Sequence, residues 1–263
     1  MRVRPFAKRE RKNTMSKLYD AILGLAIGDA LGVPYEFEQR GSFICSNMVG
    51  YGTHNQPEGT WSDDTSMTLA TLDSLKNNNG IIVTEDICRR FNYWLLYGDY
   101  TVNGEVFDAG ITTCTALKKG RPAVGEWDNG NGSLMRIMPV SLYDALEEEY
   151  WNDTFIEEAA ENAHNVSSLT HGHPRSQIAC FMHTSICHEL IYRGDEPVYM
   201  ALWKGIHGTF DFYERRAGAL PWFDDAFKRE LSTDAYGRLR DLEAFMNLPD
   251  SEIKGSGYVV DTL

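Results

Sequence analysis

Two adjacent carboxylates flanked by hydroxyls, Ser62-Asp63-Asp64-Thr65, stand just before a run with helical periodicity (Met67, Leu69, Ala70, Leu72, Leu75). Neighbouring carboxylates repel, and a divalent cation relieves that repulsion while using their lone pairs. An all-oxygen donor set of this kind suits a hard ion such as Mg²⁺ or Mn²⁺. The positive end of the following helix favours the same two acids. The plainer alternative is a helix start capped by Ser62 or Asp63, with Asp64 as a first-turn acid. Spacing alone does not separate the two.

Other residues could complete such a centre. In Gly28-Asp29-Ala30-Leu31-Gly32-Val33-Pro34-Tyr35-Glu36 the small residues make a thin helix, Pro34 stops it, and Glu36 lies in the segment just beyond. A loop carboxylate beside a metal can serve as general acid or base, although an ordinary exposed glutamate has the same surroundings. Asp108, in Phe107-Asp108-Ala109-Gly110, is a second loop acid or a turn former. Asn129-Gly130-Asn131-Gly132-Ser133-Leu134-Met135-Arg136 has the Gly/Asn content of an anion cradle at a helix entry, without a GxGxxG or Walker pattern. Leu169-Thr170-His171-Gly172-His173-Pro174-Arg175 places two histidines in a loop. His183 and His188 would be the further ligands a zinc site needs, but the glycine and proline point instead to a ligand-contact loop.

Helices must position these residues. Leu18, Ile22, Leu25 and Ala26 form one apolar stripe, and Ile87, Phe91, Trp94 and Leu95 form another behind Thr84, an expected N-cap. Thr154 and Glu157 have capping-box spacing ahead of Ile156, Ala159, Ala160 and Ala163. Ile178, Phe181, Met182, Ile186 and Leu190 make a stripe closed by Gly194, and Pro197 falls in the first turn of the next helix. Leu239, Leu242, Phe245 and Met246 make a last one. Strand alternation is absent. The expected fold is all-α: one compact multi-helix domain over 15–263, preceded by a disordered basic tail over 1–14. Gly257–Leu263 reads as the opening of an amphipathic helix that stops without a cap, so the expectation is a chain missing its last helices.

With 263 residues, 43% apolar and 24% charged, the chain has the composition of a globular protein. A net charge of −13 argues against a broad nucleic-acid surface. The five scattered cysteines include no CxxC pair, which fits a reducing cytoplasmic setting. No apolar run reaches the length of a membrane span. A monomer is expected.

The ordered series GDALGVPYE, WSDDT, GDYTVNGEVFDAGITT, GNGSLMR, LTHGHPRS and GYVVDTL resembles the ADP-ribosylglycohydrolase family from about Leu18 to Leu263. That resemblance implies an all-α fold, two Mg²⁺ or Mn²⁺ ions, and hydrolysis of an N- or O-glycosidic bond to the distal ribose of ADP-ribose. The partner is then an ADP-ribosylated protein or a small ADP-ribose derivative. By the same resemblance Ser62 (in place of the usual Thr), Asp63 and Asp64 are metal ligands. Glu36 and Asp108 are catalytic, while Asn131, Gly132, Ser133, Leu134 and His171 bind substrate. One departure stands out: the G-x-D-x-D-T segment that completes the family's metal pair has no counterpart here. Impaired catalysis is therefore expected of these 263 residues, with an inactive ADP-ribose-binding pseudoenzyme as the alternative.

Overall fold

The computed structural model describes residues 8–147, 152–221 and 223–263, which hold twelve α-helices and no named strand. The chain divides into two compact units, Met1–Gly120 and Arg121–Leu263. The division falls at Gly120, whose left-handed backbone (φ 62°) ends a helix.

The first unit contains α1 (Lys8–Gly32), α2 (Asp63–Asn77), α3 (Thr84–Tyr97) and α4 (Ile111–Lys119). Of the tail expected over 1–14, residues 1–7 lie outside the described part. Residues 8–14 are helix rather than tail, since their Lys, Arg and Glu are good helix formers uninterrupted by Gly or Pro. On α1 the expected stripe of Leu18, Ile22, Leu25 and Ala26 is half-buried, whereas Met15, Tyr19, Leu23 and Ile27 face solvent. Helix α2 packs against α1 and α3. Its buried face is rich in hydroxyls, which Thr71 and Ser66 turn back onto the carbonyls of Met67 and Ser62 at 2.9 and 2.7 Å. Ile87, Phe91 and Trp94 of α3 are buried as the periodicity predicts. The expected cap is displaced by one residue, because Thr84 already lies inside the helix and Val83 occupies the cap position. Asp86 joins α2 to α3 by accepting from Ser74 Oγ (2.7 Å) and Arg90 Nε (2.9 Å). Burial opposes its charge, but the hydrogen bonds from Arg90 and Ser74 outweigh burial and bring the carboxyl down to about 2.

The second unit contains α5 (Met138–Glu147), α6 (Asp153–Ser167), α7 (Pro174–Tyr192), α8 (Val198–Asp211), α9 (Asp225–Leu231), α10 (Asp234–Gly237), α11 (Leu242–Met246) and α12 (Val259–Thr262). Helix α7 is central: α5, α6, α8, α9 and α12 all pack on it. Ile178, Ala179, Cys180, Phe181 and Met182, five successive residues covering every face, are wholly buried, as a helix apolar all round must be. The expected capping box on α6 is two residues late. Asn152 caps instead, its side chain accepting from the amides of Thr154 and Phe155 at 3.0 and 3.2 Å. Pro197 sits just outside α8 rather than in its first turn. The single helix expected through Leu239–Met246 breaks at Asp241, whose Oδ1 accepts from Ala244 N (2.9 Å) and starts α11. Among the described residues no helix is long and apolar enough to cross a membrane.

Candidate functional site

In the first unit the site begins at Asp29, near the C-terminal end of α1. Its carboxylate accepts from Ser62 N (3.0 Å), Ser62 Oγ (2.8 Å), Thr65 N (3.0 Å) and Thr65 Oγ1 (2.6 Å). A helix start leaves its first amides without partners, and the cap side chain ordinarily supplies an acceptor to the third residue. Ser62 holds the cap position of α2 yet makes no such bond. Asp29, distant in sequence, makes it instead.

Asp63 and Asp64 are thereby relieved of capping. Asp63 is only 5% exposed. Among the described residues no side chain donates to either carboxylate and no cation pairs with it; each is met only by its own backbone amide. Burial, followed by the charges of Asp64, Asp108 and Asp29, pushes Asp63 well above the usual carboxylate range. Burial, then Asp29 and Asp108, raises Asp64 to about 7.

Glu36 follows the 3₁₀ turn Val33–Tyr35, and the loop over 50–54 closes against that turn. The approach is so tight that a Cβ on Gly52 would stand 1.9 Å from the Pro34 carbonyl oxygen, so only glycine fits. Thr53 completes the contact by donating from N to Pro34 O (3.0 Å) and from Oγ1 to Glu36 O (2.6 Å). This loop delivers His54, whose Nε2 lies 2.5 Å from Glu36 Oε2 and 3.9 Å from Asp108 Oδ1. Phe107 and Phe37 flank the imidazole at 5.3 and 5.9 Å between ring centroids. Asp108 has a left-handed backbone (φ 56°), uncommon outside glycine and a conformation that aspartate tolerates. Burial first, then its hydrogen bond to Glu36 and the charge of Glu36, raises the Asp108 carboxyl to about 7. Ligand atoms of Glu36, His54 and Asp108 lie within 4.8 Å of one another.

The donor chemistry fits a hard divalent cation. Asp63, buried, and Asp64, half-buried, carry carboxylates without partners near Asp108, an acidic cluster that positive charge would stabilise. Asp63 and Asp64 would hold such an ion, with Asp108 and Glu36 nearby. The Ser62 hydroxyl donates its proton to Asp29 and keeps lone pairs for a ligand.

In the second unit Asn131–Ser133 forms a 3₁₀ turn. The Asn131 amide is taken by Gly257 O at 2.8 Å, so this expected cradle N–H is engaged within the fold. Ser133 is wholly buried, its Oγ 3.0 Å from Ser167 Oγ, and Leu134 is core. Their side chains therefore support the loop from beneath. Arg136, wholly buried, donates to Gly132 O, to Val166 O (3.3 Å) and to Thr170 Oγ1 (2.9 Å). Thr170 Oγ1 stands 2.7 Å from Nδ1 of His171, itself 1% exposed. His171 is thus placed beside the loop, its Nε2 4.0 Å from where a Cβ on Gly130 would stand.

The histidines considered for zinc do not assemble among the described residues. His173 caps α7 through Nδ1, which accepts from Arg175 N (3.2 Å), and His183 Nδ1 bonds Ser141 Oγ (2.9 Å). The acids beside His173, Glu126 and Glu230, already share a cation, since Arg175 reaches each at 2.7 Å. Sequence reasoning missed Asp29, His54, Arg136 and Thr170 as site-forming residues. Asp29 lies inside a stretch singled out for other reasons, while His54 has no local signal.

Comparison with known proteins adds an independent line. A family model described as ADP-ribosylglycohydrolase matches residues 10–263. An ADP-ribosylarginine hydrolase, Tri1, of Pseudomonas putida (strain GB-1) is 27% identical over 267 residues, 96% of this chain and 60% of that protein. The ADP-ribosyl-[dinitrogen reductase] glycohydrolase of Rhodospirillum rubrum is 32% identical over 176 residues, 65% of this chain and 56% of that one. This chain thus spans less than two thirds of the length of these curated relatives. A solved structure titled ADP-ribosylglycohydrolase-related protein complex superposes with a TM-score of 0.63 at 27% identity, covering 95% of this chain and 74% of that one. The all-α architecture, the gathered acids and a match over nearly the whole length agree: the chain belongs to the ADP-ribosylglycohydrolase family.

Proposed function

We propose that this chain provides the machinery for metal-dependent hydrolysis of an N- or O-glycosidic bond to ADP-ribose, on a modified protein side chain or a related small molecule. The observation that carries the reading is the pair of buried Asp63 and half-buried Asp64, left without partners because Asp29 caps their helix. Such a pair opposes folding on its own and gains most from a divalent cation.

Mg²⁺ or Mn²⁺, when bound, would supply Lewis acidity and orientation for the ribose diol and the attacking water. Asp63 and Asp64 would be the carboxylate ligands, with the Ser62 hydroxyl beside them. Glu36 is the general base that orients and deprotonates water, and the hydrogen bond from His54 fixes its carboxylate for that task. Asp108 is hydrogen-bonded to Glu36 directly, so a proton taken at Glu36 can be shared between these two carboxyls. As the glycosidic bond breaks, positive charge grows on the ribose ring, and Asp63, Asp64 and Asp108 stabilise it electrostatically. Taken by itself, the Asn131–Leu134 loop of the second unit, with His171 beside it, is a candidate binding surface for a pyrophosphate and its ribose.

The deciding experiment assays the chain, with Mg²⁺, with Mn²⁺ and with chelator, against ADP-ribosyl-arginine, ADP-ribosyl-serine and O-acetyl-ADP-ribose. Release of ADP-ribose that is metal-dependent, slow in keeping with the impairment expected above, and abolished in Asp63→Asn and Glu36→Gln is the expected result. Binding of ADP-ribose with no turnover of any substrate would favour the pseudoenzyme, and no binding at all would end both readings.

A further inference from the structure

The buried network in the second unit fixes where a proton sits. Arginine is only a donor, so Thr170 Oγ1 must accept the hydrogen bond from Arg136 Nη2. The hydroxyl proton of Thr170 then has a single acceptor among the described residues, Nδ1 of His171 at 2.7 Å. If Nδ1 carried a proton of its own, both bonds at Thr170 would run inward. The hydroxyl proton of this wholly buried residue would then have no acceptor, a condition that folded proteins rarely tolerate. Donor counting therefore leaves Nδ1 bare and puts the ring proton on Nε2.

Burial, with the Arg136 charge as second cause, lowers the imidazole to about 3 and keeps it neutral. Its Nε2 lies beside Gly130, and among the described residues it meets no acceptor. The ring is thus a polar group, 1% exposed, with a donor aimed at the Gly130–Ser133 loop and nothing there to receive it.

We propose that Arg136, acting through Thr170, is a positioning residue that locks His171 as a neutral Nε2–H donor for an oxygen of ADP-ribose at this loop. His171 then binds without taking or giving up a proton, so its contribution is independent of pH near neutrality. This inference rests on the ADP-ribose reading above for the identity of the ligand, but not for the tautomer.

Both halves are testable on the whole chain. Ring-¹⁵N histidine labelling gives signals from the seven histidines, and His171→Gln identifies the one of interest by its loss. The expected pattern is a neutral ring protonated at Nε2, unchanged from about pH 6 to about pH 8. Thr170→Val removes the hydroxyl at nearly constant shape. It should mix the tautomers and weaken ADP-ribose binding, read by calorimetry, by about tenfold. Thr170→Ser restores the hydroxyl and should restore both readouts, which a merely structural effect of the Val variant would not predict. An Nδ1–H ring or an imidazolium in the unmodified protein would overturn the lock, as would a Val variant with unchanged tautomer and affinity. An Nε2–H ring in a protein that binds no ADP-ribose would instead overturn the ligand and the functional reading with it.

Discussion

The two units bury polar groups in opposite ways. In the second, Arg136 is enclosed by acceptors from three chain segments, and its one hydroxyl partner passes a hydrogen bond on to His171. In the first, Asp63 and Asp64 are enclosed by further acids, and Asp29, the acid that caps their helix, adds to the repulsion. A satisfied network rigidifies a fold, whereas an unsatisfied one weakens it unless something from outside completes it. The contrast separates a scaffold from a receptor. Around Arg136 donors meet acceptors within the chain, whereas Asp63 and Asp64 meet only like charges, which is why the proposed ligand is a cation.

The largest test removes the donor at the centre of the Arg136 network. Arg136→Met strips acceptors at Gly132, Val166 and Thr170 of their donor. Urea unfolding should show a loss of about 3 kcal/mol or more. A near-neutral result would mean that the two units do not differ as described.

The same operation on the other unit should have the opposite sign. Asp64 holds its proton up to about 7 when folded and to about 3.9 when unfolded. Between these values the folded state binds more protons, so its contribution to stability falls as pH rises from about 4 to about 7 and stays low above that. Asp64→Asn abolishes this penalty. Without metal at about pH 8 the variant should be more stable by roughly 1–3 kcal/mol, and any rise in melting temperature with Mg²⁺ or Mn²⁺ that the proposed site predicts for the parent should be absent from it. A destabilised variant would contradict the repulsion argument.

Titration sharpens the comparison within a single molecule. His164 and His171, both lowered to about 3, chiefly by burial, bind protons more readily unfolded than folded. Their contribution is present in full above the unfolded value of about 6.5 and is lost as pH falls toward 3, by up to about 1.4 kcal/mol per pH unit for each group. Metal-free hydrogen exchange, corrected for intrinsic rates, should therefore show protection around α2 rising from about pH 7 down to about pH 5. Protection around α6 and the His171 loop should fall over the same window. Parallel trends in both units would remove the distinction. The smallest effect is expected at Asp29→Asn. Asn keeps one acceptor oxygen where Asp29 uses two, so the hydrogen bonds lost cost about 1 kcal/mol, partly offset by removing one like charge, and the net change in melting is slight. The sensitive readout is exchange of the Thr65 amide, which should lose its protection.

Much of the site was legible, unevenly. Asp63, Asp64, Glu36 and Asp108 stand out as candidates because acids at a helix start and in glycine-flanked loops form local patterns; in the fold Asp108 lies near Asp63 and bonds Glu36. Ser133 and Leu134 were legible as a loop but not as core, since burial depends on Ser167 and on what packs above it. Caps were misplaced at Thr84 and Thr154 for a related reason. Several residues in each stretch can cap, and a shift of one or two positions is settled by a single hydrogen bond such as that of Asn152.

Periodicity and motif order, both carried in the linear chain, determined the helical class and the family and nominated the acids. Only the tertiary structure decided which carboxylate caps α2 and which two remain open, because the acceptor that wins, Asp29, comes from a different helix. Tertiary contact likewise put His54 on Glu36 and Thr170 between Arg136 and His171. Hydrogen bonds reach about 3 Å and register no sequence distance, so a polar group's role is set by whichever partner folding brings within that reach.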